Sequence, residues 1–329
     1  MRIDCAARLG VATAWLVIVT GCQNQGQAGA GGPSSSPRVE LVEASGIAVL
    51  TEAKVAVVGG DETHGRLWAV SLEDLSKRWE LPFSPGTPTL DDIEALAPWG
   101  KYDLLVCCSQ SRTKPHAYVR PERNRLALVT LTPDARQITA ARVYEGLRGH
   151  LLNYLAGQAS QLVENTEAIA DGTPATGGLN VEGIAPWQGQ LLLGLRSPMA
   201  RGGAIAVPIK NLVQMFETVG SRTPPEFGPL VILPTEPGEG IRDMGAAPDG
   251  VLLILGPSGE VHKTRPRIVR WDPVKNELKQ VHVPGFKKIQ KPEGIAVDPQ
   301  GRLLIVQDQL PPLPEVFFRL EIKDKADEK

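Results

Sequence analysis

Five residues that could carry chemistry share one position of a short repeated phrase. The phrase is clearest as Glu182-Gly183-Ile184-Ala185 and Glu293-Gly294-Ile295-Ala296. Across the five copies its first position holds Ser45, Glu94, Glu182, Arg242 and Glu293. If the repeats surround one axis, three carboxylates face one narrow space and repel one another unless a cation, a proton or an arginine relieves the repulsion. The pattern therefore predicts either a binding site or a structural charge network at that axis.

The carboxylates support a first hypothesis, a divalent-cation site. Carboxylate and amide oxygens are hard ligands suited to Ca²⁺ or Mg²⁺. Such a metal would activate water or clamp an anionic substrate. The candidate metal ligands are Glu94, Glu182, Glu293 and Asp92, with Asn180 beside them.

The arginines support a second hypothesis, in which guanidinium groups neutralise the glutamates and the network is structural. Arg112 and Arg196 lie at or just after the ends of predicted strands, where loops begin, so they could also hold a phosphate or a carboxylate. The ligand-binding candidates are Arg112, Arg196, Arg242 and Asp243.

The elements that must position these residues are short strands. The chain has 34 Gly and 28 Pro, which interrupt helices and suit strands joined by turns. Each phrase marks a first strand and is followed by two apolar segments of strand length, and four copies show a fourth strand. Four-stranded units repeated about an axis predict an all-β protein, a β-propeller of five blades with four strands each. A solenoid is the alternative for repeats, but the strand lengths favour a ring.

Two parts of the chain qualify this pattern. The fifth copy lacks a fourth strand, and residues 39–42 are predicted to supply it and close the ring. The long gap between the second and third copies leaves room for a sixth, degenerate blade. Residues 148–172 in that gap have helical spacing of their apolar side chains, so a small helical insertion is the preferred interpretation.

The amino-terminal residues predict export. Arg2 and Arg8 precede an apolar run at residues 9–19, which has the form of a secretory signal and is too short to span a bilayer. The run ends in Val19-Thr20-Gly21-Cys22, which resembles a bacterial lipobox. That resemblance implies cleavage before Cys22 and lipid on its sulfur; an ordinary secretory signal is the alternative. By analogy with Gram-negative sorting signals, Gln23 favours the outer membrane over retention at the inner membrane. We expect the protein to face the periplasm, with the cell surface as the alternative.

The predicted organisation is a signal peptide at residues 1–21, a flexible tether at 22–37, one propeller domain at 38–323 and a charged tail at 324–329. Only Cys107 and Cys108 then remain in the domain, as free thiols or as a strained vicinal disulfide. The formal net charge of −2 and the lack of a basic run make nucleic acid a poor partner. We expect a monomer.

Several phrases resemble one bacterial family, the domain of unknown function 3616. They are Asn180-Val181-Glu182-Gly183-Ile184-Ala185 followed by Leu192-Leu193-Gly194-Leu195-Arg196-Ser197-Pro198, Gly240-Ile241-Arg242-Asp243-Met244, Pro292-Glu293-Gly294-Ile295-Ala296-Val297, and Ser109-Gln110-Ser111-Arg112. The resemblance covers about residues 40–320 and implies a β-propeller. Gln110 stands where the family is expected to have a His.

A looser similarity to phytase-like esterase propellers suggests phosphoester chemistry. The function predicted first is a non-catalytic scaffold of the cell envelope that binds a small anionic ligand or an envelope protein. The alternative is a divalent-cation-dependent hydrolase of phosphoesters or small anionic esters.

Overall fold

The strands of the protein form five antiparallel sheets. The computed structural model describes residues 43–60, 65–114, 117–217, 223–259, 264–308 and 317–322. The predicted signal peptide, the tether, Cys22 and residues 39–42 and 324–329 lie outside these ranges, so the predictions about them stay predictions. Among the described residues, no helix combines the length and apolar character needed to cross a membrane.

The sheets follow one another along the chain, and each is a blade. The first blade comprises β1 (Ala44–Leu50), β2 (Val55–Gly60), β3 (Leu67–Ser71) and β4 (Arg78–Glu80). The second comprises β5 (Ile93–Pro98), β6 (Asp103–Cys108), β7 (Arg125–Leu131) and β8 (Ile138–Glu145). The third comprises β9 (Asn180–Trp187), β10 (Gln190–Ala200), β11 (Gly203–Ile209) and β12 (Val231–Leu233). The fourth comprises β13 (Glu239–Ala247), β14 (Gly250–Pro257), β15 (Arg267–Asp272) and β16 (Glu277–Gln280). The fifth comprises β17 (Pro292–Val297), β18 (Leu303–Gln307) and β19 (Phe317–Leu320).

The first strands of the blades close a ring. β1 packs against β5, β5 against β9, β9 against β13, β13 against β17, and β17 against β1. This arrangement is a five-bladed β-propeller, and it confirms the predicted fold. The described strands form no sixth sheet. The gap that could have held a sixth blade contains the helical insertion.

Burial falls from the axis of the ring to its edge. Every residue of β1 and β2 is buried, whereas β16 has three exposed residues of four. The inner strands lie between neighbouring sheets, so both of their faces are removed from water. This is why they appear in the sequence as continuous apolar runs rather than as alternating patterns.

The insertion between the second and third blades contains α1 (Leu147–Ala156) and α2 (Thr166–Asp171). Leu151 and Leu155 of α1 are spaced to lie on one face, and both are buried in the core that joins these two blades. The Asn165 side chain accepts a hydrogen bond from the Ala168 N–H at 2.7 Å and so caps α2. The predicted insertion is confirmed. A further short helix, α3 (Leu212–Glu217), lies between β11 and β12 and was not predicted.

Candidate functional site

A β-bulge recurs in the first strand of every blade, at the aligned position of the repeated phrase. In the second blade Ile93 pairs with Cys108 and Ala95 with Cys107, which leaves Glu94 as the extra residue. The register shifts in the same way at Glu182, Arg242 and Glu293. In the first blade the shift lies between Ala44 and Ile47, the interval that contains Ser45. A bulge breaks the alternation of side chains and re-aims the extra residue.

The re-aimed residues line one polar cavity of about 660 Å³, where the first strands begin. The wall holds all five aligned residues, one from each blade. It also includes Asp92, Arg112 and Arg196, so seven of the eight charged candidates predicted from the sequence meet in one site. Further lining residues used below are Ser111, Lys114, Arg123, Asn180, Lys291 and Asp308.

The opposite end of the first strands has a different character. A second cavity, of about 160 Å³, is lined there mainly by apolar residues such as Val49, Leu96, Ile184 and Val297. The polar chemistry of the described ring is therefore concentrated at one mouth of the channel.

Glu182 is the centre of a charge network in the wall of the large cavity. Its Oε1 accepts hydrogen bonds from Asn180 Nδ2 and from Arg196 Nη1, each at 2.7 Å. Its Oε2 lies 3.2 Å from Arg242 Nε. Arg242 in turn pairs with Glu293 through Nη2. Two arginines and two glutamates from the third, fourth and fifth blades thus form one chain of ion pairs.

The network shifts the titration of its members. Burial would lower the pKa of Arg242, but the attraction of Glu182 and Glu293 outweighs it and raises that pKa. Burial raises the pKa of Glu293, and Arg242 offsets only part of this effect. Arg242 is therefore charged at every physiological pH, while Glu293 takes up a proton more readily than an exposed glutamate does.

The remaining carboxylates of the wall are also paired. Glu94 accepts a hydrogen bond from the Ser45 hydroxyl at 3.0 Å. Asp92 Oδ2 lies 2.7 Å from Arg123 Nη1 and accepts a hydrogen bond from the Ser111 hydroxyl at 3.2 Å. Burial raises the pKa of Asp92 despite the attraction of Arg123.

Arg112 fastens the helical insertion to the mouth. Its Nε donates to the Ala170 carbonyl and its Nη1 to the Ala117 carbonyl, both at 2.8 Å, and its Nη2 pairs with Asp171 at 2.5 Å. The buried Arg148 also donates to the Ala170 carbonyl, at 2.6 Å. Burial lowers the pKa of Arg148 to about 10. All three of the Arg112 nitrogens that can donate are engaged, so its contacts are those of a structural residue.

Asp243, the eighth candidate, does not line the cavity. Its carboxylate is fully buried, and Oδ2 accepts a hydrogen bond from the Ile295 N–H at 2.7 Å. Burial raises its pKa well above the usual range, and repulsion from Glu182 and Glu293 adds to this. Asp243 joins the fourth blade to the fifth behind the wall of the site.

Gln110, at the position where the resembling family is expected to carry a His, is also away from the cavity. Its side-chain amide donates to the carbonyls of Cys108 and Arg125, at 2.9 and 3.1 Å. Cys107 and Cys108 are free thiols and fully buried. Burial raises the pKa of Cys108 to about 12, which keeps it protonated and unreactive.

The lining residues that sequence reasoning missed include Ser111, Arg123, Lys114 and Lys291. Ser111, Lys114 and Arg123 belong to the loop between β6 and β7, and Lys291 precedes β17. A usable signal was present, because every loop from a second to a third strand starts at the end of the ring where the aligned residues lie. Charged residues of those loops were therefore candidates alongside Arg112.

Among the described residues, no group of three or more His, Cys, Asp or Glu side chains is placed to hold a metal ion. Glu182 and Glu293 have guanidinium partners instead. These pairs have the form of the second hypothesis for Arg196 and Arg242, whereas Arg112 contacts Asp171 and two carbonyls instead. The metal-ligand assignments stay a prediction.

Fold and site together define a five-bladed β-propeller with one polar mouth on its axis. Residues 173–310 match the model of a family described as a protein of unknown function, DUF3616. This match confirms the resemblance over the third and fourth blades and the first two strands of the fifth. No curated protein sequence matches the chain.

Solved structures with a similar course of the chain include three enzymes. Glutaminyl cyclase of Myxococcus xanthus is 14% identical, with 86% of this chain and 92% of that chain covered and a TM-score of 0.45. A glucose dehydrogenase is 13% identical, with 86% and 97% covered and a TM-score of 0.44. The soluble aldose sugar dehydrogenase of Escherichia coli, in its apo-form, is 13% identical, with 85% and 95% covered and a TM-score of 0.44. Identities and scores of this size carry no argument about activity or ligand.

Proposed function

We propose that the protein is a binding scaffold whose axial cavity holds a small ligand with negatively charged oxygens. The observation that carries this proposal is the state of three guanidinium groups in the wall. Arg123 and Arg196 each use Nε and Nη1, and Arg242 uses Nε and Nη2, in contacts with protein oxygens. The third nitrogen of each group has no partner among the described residues.

Pairing within the wall makes the cavity rich in hydrogen-bond donors. The carboxylates of Glu182, Glu293 and Asp92 already have arginine partners, and Asp308 pairs with Lys291 at 3.2 Å. A guanidinium has five N–H donors and no acceptor, so a carboxylate partner leaves donors over. A ligand that supplies acceptor oxygens complements this surface, and a negative charge strengthens those hydrogen bonds.

The size of the cavity points to a small molecule. Sites for small ligands and cofactors have volumes of about 300–1,000 Å³. The observed volume of about 660 Å³ lies within that range. An envelope protein that inserts a side chain with a carboxylate would use the same donors.

No specific observation in the structure favours hydrolysis over binding. The divalent-cation-dependent hydrolase predicted as the alternative would need carboxylates of the wall as ligands, and Glu182 and Glu293 are engaged by arginines. Ca²⁺ or Mg²⁺ chemistry on phosphoesters stays a prediction from the looser resemblance.

Calorimetric titration of the full chain tests the binding proposal. Inorganic phosphate and citrate are the anionic probes, and glucose is the neutral comparator. We expect an anion to bind and Arg196→Gln to weaken that binding about tenfold, the usual value of a hydrogen bond to a charged group. Arg270→Gln is the matched control, because Arg270 also pairs with a carboxylate, that of Asp249, but lies outside the cavity. Failure of both anions to bind would refute the proposal.

We further propose that lipid on Cys22 anchors the protein in the outer membrane, facing the periplasm. The support is the Val19-Thr20-Gly21-Cys22 motif and Gln23 after it, which lie outside the described residues. In cells given labelled palmitate, the wild type should carry label and sediment with membranes, and Cys22→Ser should do neither. Equal membrane association of both proteins would contradict lipid anchoring.

A further inference from the structure

Arg123 is held by three side-chain contacts that use only two of its three nitrogens. Its Nε lies 3.2 Å from Asp91 Oδ2, and its Nη1 lies 2.7 Å from Asp92 Oδ2 and 3.2 Å from Ser111 Oγ. Its carbonyl accepts a hydrogen bond from the Gln110 N–H at 2.9 Å. The Asp91 side chain is 2% exposed, so this support is rigid.

The backbone that provides this support is strained. Asp92 has a φ of 58° and Gln110 a φ of 60°, in the left-handed region that side chains other than glycine rarely adopt. A residue held in this region is strained, and it persists only where its surroundings enforce it. Ser109 connects the two, because its N–H donates to the Asp92 carbonyl at 2.9 Å.

Both strained residues contact Arg123 directly. The side chain of Asp92 binds the guanidinium, and the N–H of Gln110 binds the main chain of the same arginine. Glu182, Pro257 and Glu293, the partners of Arg196 and Arg242 among the described residues, all lack a positive φ. Strain of this kind concentrates at ligand-binding sites, where it orients a group in advance.

The remaining donors of Arg123 belong to the cavity. Arg123 lines its wall, its side chain is 18% exposed, and its Nη2 amino group has no partner among the described residues. A side chain that is already fixed loses little conformational entropy when a ligand binds, so its hydrogen bonds contribute more to affinity.

We propose that Arg123 is the anchor of the cavity and that its Nη2 group binds an oxyanion of the ligand, a carboxylate or a phosphate. This assignment rests on the proposed function, since it names the arginine and the ligand group through which the same cavity acts. Arg123 is not a member of the charge network of Glu182, which lies on the third to fifth blades.

Titration of the full chain with inorganic phosphate and, separately, with citrate tests the assignment and distinguishes the two oxyanions. For whichever anion the wild type binds, Arg123→Gln should weaken binding about tenfold or more, because a charge-assisted hydrogen bond is lost. Arg120→Gln is the matched control. Arg120 also pairs with Asp91, at 3.2 Å, but does not line the cavity, so its loss should change affinity by less than about twofold.

A second variant separates anion binding from folding. Arg123→Lys keeps a positive charge beside Asp91 and Asp92 and so preserves the fold, but an ammonium lacks the planar fork that spans those carboxylates and the ligand together. We expect it to bind at least about threefold more weakly than the wild type. If the wild type binds an anion and both Arg123 variants bind it equally well, the Arg123 assignment is wrong and the proposed function stands. If the wild type binds neither anion, both are wrong.

Discussion

Glu182 binds two arginines from different blades, and this makes it the residue on which the charge network depends. Its carboxylate is 3% exposed, and each of its oxygens faces a guanidinium. Breaking a buried pair by removing one partner leaves a charge uncompensated, which typically costs about 3–5 kcal/mol. Three carboxylates would otherwise repel one another at the axis. Arginines pair with Glu182 and Glu293, and the Ser45 hydroxyl donates to Glu94, so each carboxylate has its own partner.

Asp243 gives a prediction at the same scale, on pH dependence. Burial raises the pKa of Asp243 in the folded state, so the folded protein holds this proton more tightly than the unfolded chain. Its contribution to stability is fully present below the unfolded pKa of about 4 and is lost as the pH rises through the folded pKa.

Asp243→Asn removes this titration while an amide oxygen can still accept the Ile295 N–H. We therefore expect the free energy of unfolding of the variant, relative to the wild type, to increase from pH 5 to pH 8 in urea denaturation. Asp249→Asn, at an exposed position, is the control. A difference between Asp243→Asn and the wild type that is constant with pH would contradict the argument.

At the scale of elements, the repeated bulge explains why one sequence position became one site. In four blades the extra residue is charged, namely Glu94, Glu182, Arg242 or Glu293. Without the bulge, the rest of the first strand would shift by one residue relative to the second strand, and its side chains would change faces. In four of the five blades the residue after the aligned position is Gly or Ala, and at the glycines the neighbouring first strand comes close. A β-carbon on Gly294 would lie 2.5 Å from the Ser45 carbonyl oxygen, across the seam between the fifth and first blades.

Gly294→Ala should therefore destabilise the protein by about 1–3 kcal/mol, the usual cost of overpacking. Gly149→Ala is the control at a matched chemical change, since Gly149 lies in α1 and has open space around it. There alanine should stabilise the protein by up to about 1 kcal/mol, because it favours a helix over glycine. Denaturant titration measures the free energy of unfolding of both variants. A Gly294→Ala variant as stable as the wild type would contradict the close approach of the two blades.

At the scale of the whole molecule, the prediction that residues 39–42 complete the fifth blade has yet to be tested. The fifth blade has three described strands, and residues 39–42 are predicted to add the fourth, which would join the two ends of the chain. Such a strand contributes through ladder hydrogen bonds that need a free N–H at each paired residue.

Leu41→Pro removes one such N–H and should lower the melting temperature, because the closing strand can no longer pair fully. Gln27→Pro, within the predicted tether, is the control and should leave the melting temperature unchanged. Differential scanning calorimetry of the full chain compares the two. Equal melting temperatures for Leu41→Pro and the wild type would show that residues 39–42 do not close the ring.

The sequence by itself predicted a β-propeller with five blades preferred over six, the helical insertion and the aligned axial position. These properties follow from local patterns, namely apolar runs of strand length, turns between them and a phrase repeated along the chain. The same pattern also recurs in every blade, so a blade whose own pattern is weak was recognised from its similarity to the others.

Only the tertiary structure decided which partner each charge has. Arg242 and Glu293, or Arg123 and Asp92, are far apart in sequence and come together through the packing of different strands and loops. Asp243 follows Arg242 directly, yet the bulge sends one side chain into the cavity and leaves the other behind its wall. A change of direction between neighbouring residues depends on strand register, which is set by pairing with distant parts of the chain, and no local pattern contains it.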